Sequence, residues 1–404
     1  MKPDYIKRFE KMGLGMFVHF GLYSLLEKGE WYYSVLTTDE QRQKYFSLIN
    51  KFKVAKNWAK DIVATAKKMG AKYITITTRH HEGFSLFDTK GLSDFDVMHS
   101  PTGRDILKEF ADECHKNNIV PFFYHTLLDW HQKDFNDNFP KYIDYLVKSV
   151  EILCTNYGKV GGFWFDGFWS KPDEDWQFDR LYGMIRKYQP EAMIINNTGL
   201  DEQGKVGHYE IDSVTFERGV PLKVSSADGK ERAGEVCNAL TDHWGNAALD
   251  VNYMSVPTLI DILVECRYNK CNFLINAGIN KNGTIKDMDK ATLSTFGKWV
   301  HIHEHIIRDC VPSDIKADNA LIFKDDKYYY AVIKKVPLIA TLNVVQAKNL
   351  PYITIHTDKT VVEACCYDNK KTKIKVDNKT HSFQMPAFPY GVSLYTRVVR
   401  FKLK

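Results

Sequence analysis

About the first 300 residues alternate between short apolar runs and amphipathic segments. Short apolar runs bounded by turn residues are typical of buried strands, and apolar residues at helical spacing are typical of helices. The apolar runs are residues 12–21, 72–78, 119–126, 161–167, 192–197, 211–217, 234–240 and 271–277. The amphipathic segments are residues 57–69, 105–117, 142–155, 176–188, 256–269 and 291–307. This alternation predicts an α/β fold, a (β/α)8 TIM-like barrel; a doubly wound sheet is the alternative, but no glycine fingerprint follows the first strand.

After about residue 312 the pattern changes. Short runs rich in β-branched and aromatic residues follow one another with turn residues between them, at 320–323, 328–334, 352–356, 361–367, 373–376 and 392–401. This spacing is typical of an antiparallel β-sandwich. The sequence therefore predicts a barrel domain at residues 1–312 and an all-β C-terminal sandwich domain at residues 313–404.

The composition argues against two classes of partner. Lys and Arg number 55 against 50 Asp and Glu, without a dense basic cluster, so we expect no nucleic-acid binding. No apolar run approaches the roughly 20 residues that a spanning helix needs, so we expect no membrane partner.

The first five residues, MKPDY, lack the apolar region of a signal peptide, which predicts a cytoplasmic protein. The eight cysteines show no C-x-x-C spacing, and we expect reduced thiols.

The predicted strand at residues 161–167, GGFWFDG, ends in a single carboxylate, that of Asp166. A carboxylate there adds nothing to core packing and is costly to bury without a partner. In a parallel barrel, catalytic residues sit at the carboxyl ends of the strands, which makes Asp166 a candidate catalytic group. The alternative is that Asp166 caps the next helix or occupies a turn.

Other predicted strands also end in side chains that can do chemistry. Because the strand ends of a narrow barrel share one mouth, we expect these side chains to approach one another. The residues so placed are His19, His80, His81, His125, Asp166, Asn197 and Glu217. Two carboxyls at one mouth, Asp166 and Glu217, can divide the roles of nucleophile and general acid/base in glycoside hydrolysis. Which carboxyl takes which role stays open at this point.

The histidines fit sugar binding better than metal binding. A metal hydrolase would want a His-x-His strand or an HExxH helix, and the run HIHEH at 301–305 falls on a helix face that solvation explains. We therefore predict no metal and no cofactor. We expect neutral imidazoles of His19, His80, His81 and His125 to hydrogen-bond sugar hydroxyls. Neighbours in an extended strand point to opposite sides, so His80 and His81 share the mouth only if a bulge intervenes.

Several longer stretches follow one another between about residues 14 and 285. They are MFVHFGLYS with GEWYYS, TTRHHEGFSLFDT, FFYHTLLDWH, GGFWFDG, IDSVTFERG, HWGN and NFLINAGINKNGTI. Together they resemble the α-L-fucosidases of glycoside hydrolase family 29, over about two thirds of the chain. The resemblance implies a catalytic barrel followed by a β-sandwich, in agreement with the change of pattern near residue 312.

The resemblance also implies an activity: an exo-acting, retaining α-L-fucosidase that needs no metal and acts on fucosylated oligosaccharides. Asp166, in WFDG, is similar to the family's nucleophile, and Glu217, in TFERG, is similar to its acid/base. The residues that resemble those around the fucose ring, or are expected to line the same pocket, are His19, Trp31, His80, His81, Trp164 and Trp244.

Two positions depart from the family pattern. His125 stands where many members carry tyrosine, and Thr198 follows the asparagine pair where many members carry arginine. Both departures resemble the branch of the family that is restricted to α-1,3 and α-1,4 fucosyl linkages.

The alternatives that stay open are a retaining glycosidase for another sugar, such as an α-galactoside, and a lectin-like carbohydrate binder.

Overall fold

Eight strands pair side by side in chain order, and the last pairs with the first, so they form a closed parallel barrel. The computed structural model describes residues 2–222, 224, 228–339 and 350–404. The barrel strands are β1 (Leu14–His19), β2 (Tyr73–Arg79), β3 (Val120–Thr126), β4 (Gly162–Asp166), β5 (Met193–Asn196), β6 (Ser213–Glu217), β7 (Ala233–Ala239) and β8 (Cys271–Gly278). Each lies within the predicted run or within a residue or so of it, and the predicted barrel is confirmed.

The α-helices of the described residues stand mostly between these strands. They are α1 (Asp4–Met12), α2 (Asp39–Phe46), α3 (Trp58–Met69), α4 (Ile106–Lys116), α5 (Asp134–Asp137), α6 (Phe139–Asn156), α7 (Phe178–Tyr188), α8 (Val256–Tyr268), α9 (Asp287–Ile302) and α10 (Glu304–Arg308). The predicted helix at 291–307 is therefore two helices. In the described part of the chain no α-helix separates β5 from β6 or β6 from β7, so the alternation is incomplete there.

The short helices α1 and α2 were not predicted. Helix α1 buries Ile6 and Phe9 in the core cluster of the barrel, and Phe9 packs against Tyr73 and Phe122 at the starts of β2 and β3. It therefore covers the amino-terminal end of the barrel. Helix α2 begins at a capping box formed by Thr38 and Gln41, which satisfies two backbone N–H groups at its start.

The C-terminal strands form two antiparallel sheets and a short parallel pair. The strands are β9 (Val311–Pro312), β10 (Lys316–Asp318), β11 (Leu321–Lys324), β12 (Tyr329–Ile333), β13 (Leu338–Ile339), β14 (Tyr352–His356), β15 (Val361–Cys366), β16 (Ser382–Gln384), β17 (Phe388–Pro389) and β18 (Arg397–Leu403). One sheet has the order β15-β18-β12-β11-β9, the other β10-β14-β16, and the pair is β13-β17.

The two antiparallel sheets share one hydrophobic core, which confirms the predicted sandwich. Ile322 and Val399 come to this core from the larger sheet, and Ile353 and Phe383 come from the smaller one. The prediction of a strand at residues 373–376 is wrong, because that run forms only an isolated bridge with β15. A single bridge does not extend into a ladder, and the surrounding residues form turns.

The chain divides into two compact units, Met1–Met254 with Cys271–Ser294, and Ser255–Lys270 with Thr295–Lys404. The domain boundary after residue 312 stays a prediction. All eight cysteines are buried thiols that form no disulfide among the described residues. Among the described residues, no helix combines the length and the apolar character needed to cross a membrane.

Gly162 is a point of close packing in the barrel wall. A Cβ atom at Gly162 would lie 2.5 Å from Phe122 Cε1 and 2.8 Å from the Met193 carbonyl oxygen. Overpacking of a rigid core costs about 1–3 kcal/mol. We therefore expect Gly162→Ala to lower the free energy of unfolding by about 2 kcal/mol, measured by urea denaturation.

Gly183, on an exposed face of α7, provides the matched control, because a Cβ atom there meets nothing within 4 Å. Alanine is favoured over glycine in a helix by about 1 kcal/mol, so Gly183→Ala should leave the stability unchanged or raise it. Equal stability of wild type and Gly162→Ala would contradict the packing described for β4.

Candidate active site

Two carboxylates, Asp166 at the end of β4 and Glu217 at the end of β6, share one hydrogen-bond donor. The side-chain nitrogen of Asn197 donates to Asp166 Oδ1 at 3.2 Å and to Glu217 Oε2 at 2.7 Å. Thr215 donates to Asn197 Oδ1 at 2.9 Å, which turns the NH2 group of the amide towards both carboxylates. Two oxygens held this close to one nitrogen lie less than about 6 Å apart.

Asp166 accepts further hydrogen bonds from neighbouring elements. Tyr124 Oη donates to Asp166 Oδ2 at 2.9 Å, and Trp169 Nε1 donates to Oδ1 at 3.4 Å. His81 Nε2 lies 3.5 Å from Oδ2. These contacts hold both oxygens of Asp166 in defined directions at the mouth of the barrel.

Glu217 differs from Asp166 in its electrostatic surroundings. Burial, and after it the negative charge of Asp166, raises the pKa of Glu217 to about 7. The hydrogen bond from Asn197 and the charge of Arg218 act in the opposite direction. Glu217 therefore keeps its proton over a range of pH in which an ordinary glutamic acid has lost it.

Both carboxylates open into a cavity of about 640 Å³ at the carboxyl ends of the strands. Part of its wall is the segment 197–202, which follows β5. The aromatic and imidazole rings that line the cavity are Phe17, His19, Trp31, His80, Tyr124, Trp164, Trp169, His243 and Trp244. A cavity lined by flat rings, with a few convergent polar groups, suits one sugar ring.

Two histidines in this lining are neutral imidazoles. Burial lowers the pKa of His19 to about 3, and it lowers the pKa of His80 well below its ordinary value. Asn276 donates through its nitrogen to the Trp244 carbonyl at 2.7 Å, so its oxygen accepts from His19 Nδ1 at 2.8 Å. This leaves Nε2 of His19 as an acceptor. His80 Nδ1 has no hydrogen-bond partner among the described residues.

The family model for alpha-L-fucosidase matches residues 2–305. The chain belongs to the alpha-L-fucosidase family of glycoside hydrolases. Alpha-L-fucosidase isoenzyme 1 from Paenibacillus thiaminolyticus is 26% identical to it, with a TM-score of 0.84 over 99% of both chains. A relative from Caenorhabditis elegans is 25% identical over 74% of this chain, and the match spans 66% of that relative's length.

A structure from Bacteroides thetaiotaomicron shares the fold at 21% identity, with a TM-score of 0.80 over 100% of this chain and 97% of that chain. It is an alpha-L-fucosidase trapped as a covalent intermediate in complex with 2-fluoro-fucosyl fluoride.

Most of the site residues expected for an alpha-L-fucosidase lie together in this family member. The residues in the cavity lining are Asp166, Glu217, His19, Trp31, His80, Trp164 and Trp244. His81 stands next to the cavity, where its ring and that of Trp31 meet edge to face with their centroids 5.3 Å apart.

His80 and His81 follow Arg79, the last residue of β2, and belong to a turn in which the Gly83 N–H donates to the His80 carbonyl at 3.0 Å. The two imidazole rings lie 4.2 Å apart. Because both residues lie beyond the end of the strand, the alternation of an extended strand does not separate their side chains. The register shift between β2 and β3, at Thr77 and Arg79, precedes both histidines, so the expectation that a bulge is needed between them was wrong.

The structure contradicts the prediction that His125 contacts the sugar. His125 is fully buried and does not line the cavity. Its Nδ1 lies 2.8 Å from Thr78 Oγ1, and its Nε2 lies 3.2 Å from Ser149 Oγ on α6. Because side chains alternate along β3, the preceding residue, Tyr124, points into the barrel and His125 points outward.

Tyr124 and Trp169 contact Asp166 but were not among the predicted site residues. Phe122 and Tyr124 belong to the same inward face of β3, so counting by twos from Phe122 would have found Tyr124. Trp169 lies in a short 3-10 turn after β4, where no periodic pattern marks it. Asn197 was recognised only as a strand-end residue, without its contact to both carboxylates.

The neighbours Tyr124 and His125 form a matched pair for testing this geometry. Tyr124→Phe removes one donor to Asp166, and a hydrogen bond to a charged group contributes about 1.5–3 kcal/mol. We therefore expect kcat/KM for an aryl α-L-fucoside to fall about tenfold or more, with little change in Tm. His125→Asn should lower Tm through its lost contact with Ser149 but keep kcat/KM within about threefold. The reverse pattern would show that His125, and not Tyr124, faces the substrate.

Proposed function

We propose that this family member is an exo-acting, retaining α-L-fucosidase that releases terminal L-fucose from fucosylated oligosaccharides or glycoconjugates. The observation that carries the proposal is the shared donor, because Asn197 Nδ2 lies 3.2 Å from Asp166 and 2.7 Å from Glu217. Retaining glycosidases hold their carboxyls about 5–5.5 Å apart, whereas inverting enzymes need about 6.5–9.5 Å to admit a water molecule. A separation below about 6 Å supports double displacement.

In this mechanism Asp166 is the nucleophile. It attacks the anomeric carbon while Glu217 protonates the glycosidic oxygen, so the bond to the leaving group breaks and a fucosyl ester of Asp166 forms. Glu217, now ionised, takes a proton from the water that displaces the ester, and fucose leaves with its original configuration. The covalent intermediate trapped in the Bacteroides relative supports this sequence of steps.

The acid/base role of Glu217 is supported by its surroundings. With a pKa raised to about 7, Glu217 holds a proton that it can give to the leaving oxygen at neutral pH. After the first step, the charge of Asp166 is lost in the ester. The pKa of Glu217 then falls relative to its value in the free enzyme, which suits the group for its second task as a base.

The residues at the floor of the cavity favour a terminal 6-deoxy sugar as the substrate. Phe17 and Trp164 belong to the barrel core and meet edge to face at 5.2 Å where the cavity borders that core, which suits the terminal residue of a sugar chain. An apolar wall against the C6 methyl group favours fucose over galactose by about 1–3 kcal/mol. His19 and His80 offer polar atoms to hydroxyl groups beside it.

We further propose a preference for α-1,3 and α-1,4 fucosyl linkages. Thr198 lines the cavity at a position where many family members carry arginine, and its hydroxyl donates to the Glu202 carbonyl at 2.7 Å. The exposed rings of Trp31 and Trp169 stack at 5.8 Å at the mouth, where the rest of an oligosaccharide would lie. Of the two departures from the family pattern, only Thr198 alters the cavity lining, since His125 lies behind the wall.

The roles of the two carboxylates predict different products from their variants in the presence of azide. Asp166→Ala should lose several orders of magnitude in kcat, and azide should restore part of it by direct displacement, giving β-fucosyl azide. Glu217→Ala should still form the ester from an activated aryl fucoside, and azide should then give α-fucosyl azide. Proton NMR of the azide products distinguishes the two anomers.

The pH dependence checks the same assignment. Because Glu217 must be protonated to act as an acid, wild-type kcat/KM should fall as the pH rises through about 7. With an activated aryl fucoside, Glu217→Ala should lack this fall. Identical azide products from both variants, or wild-type hydrolysis that inverts the anomeric centre, would contradict the proposed mechanism.

The linkage preference has its own measurement. Turnover of a panel of fucosylated oligosaccharides should be fastest for α-1,3 and α-1,4 linkages and slower by about tenfold or more for α-1,2 and α-1,6 linkages. Aryl α-galactosides, run in parallel, test the alternative sugar. Equal turnover of all four linkages would contradict the proposed linkage preference but would not contradict the proposed fucosidase activity.

A further inference from the structure

We propose that Glu235 is a positioning residue that fixes the indole of Trp164 in the floor of the sugar cavity, and through it Tyr124 and Asp166. Glu235 does not line the cavity and does not touch the reacting carboxylates. The inference rests on the proposed fucosidase function, because its kinetic consequence is measured on fucosides.

Glu235 lies in the middle of β7, on the face that points into the barrel. Its inward neighbours Ala233, Cys237 and Ala239 are small and belong to the barrel core cluster. They leave room for large rings to reach across the barrel to β7. Glu235 itself is fully buried, at a position where a core residue would ordinarily be apolar.

Each oxygen of the Glu235 carboxyl accepts from a different ring. Trp164 Nε1 donates to Oε1 at 2.9 Å, and Tyr73 Oη donates to Oε2. Without Glu235, the buried indole N–H of Trp164 would lose this acceptor. Burial raises the pKa of Glu235 to about 7, and the two donors act against that rise.

A short chain of contacts connects Glu235 to the nucleophile. The indole of Trp164 stacks on the ring of Tyr124, with centroids 5.6 Å apart and planes at 20°. Tyr124 Oη in turn donates to Asp166 Oδ2 at 2.9 Å. Rotation of an unanchored indole would therefore displace the ring that holds Asp166, and it would also change the floor on which the sugar rests.

The alternative is that Glu235 only satisfies two buried donors and contributes to stability. The two interpretations differ in their kinetic consequences. A residue that acts on stability alone changes Tm and leaves kcat/KM of the folded enzyme unchanged. A positioning residue changes kcat/KM, and an amide that keeps the acceptor for Trp164 restores it.

The test compares E235L, E235Q and Y73F in the full chain. E235L removes the acceptor for Trp164 and should lower kcat/KM for an aryl α-L-fucoside about tenfold, equally for good and poor leaving groups. E235Q keeps a carbonyl oxygen that accepts from Trp164 and should stay within about threefold of wild type. Y73F removes the donor on the far side of the carboxyl from Trp164 and should also stay within about threefold.

A second measurement does not depend on activity. The indole N–H resonance of Trp164, identified by its absence in W164F, should move in E235L and stay close to its wild-type position in Y73F. Wild-type kcat/KM in folded E235L, or an unmoved Trp164 resonance, overturns the inference. If wild type hydrolyses no fucoside, the proposed function fails, while the resonance still shows whether Glu235 holds the indole.

Discussion

Two like charges in a confined, largely buried space repel each other strongly, and the active site depends on how that repulsion is managed. Asn197 places one amide between Asp166 and Glu217, and burial together with the charge of Asp166 raises the pKa of Glu217 to about 7. Glu217 therefore holds its proton at a pH at which an ordinary glutamic acid has lost it, and this relieves the repulsion. Thr215 contributes by fixing the direction of that amide.

A second buried carboxyl, that of Glu235, lies in the interior of the barrel. An interior filled with aromatic rings brings N–H and O–H groups with it, and each needs an acceptor when it is buried. Glu235 provides acceptors for Trp164 and Tyr73. Its carboxyl occupies a core position at which an apolar side chain would ordinarily be found. The floor of the cavity is therefore held by directional hydrogen bonds as well as by packing, which suits a surface that must present fixed faces to a sugar.

Local patterns in the chain predicted much of the fold and part of the site. The apolar runs gave the barrel strands, and Asp166 and Glu217 could be placed at strand ends because each follows such a run directly. The prediction that His125 contacts the sugar was wrong by one residue, because the inward position on β3 belongs to its neighbour Tyr124. Strand ends are recognisable from polarity, but which side chain points inward depends on the phase of the alternation, and for β3 that phase was set by Phe122 and Tyr124.

Residue order therefore determines which side chains arrive at the mouth of the barrel, because hydrophobic periodicity is a local property that each strand carries with it. The folded chain alone decides how those side chains meet. The turn after β2 keeps His80 and His81 together, the closure of β1 against β8 brings distant strand ends around one cavity, and the amide of Asn197 comes to lie between two carboxylates. Distances and shared hydrogen bonds of this kind arise from contacts between residues far apart in the chain, so no local pattern encodes them.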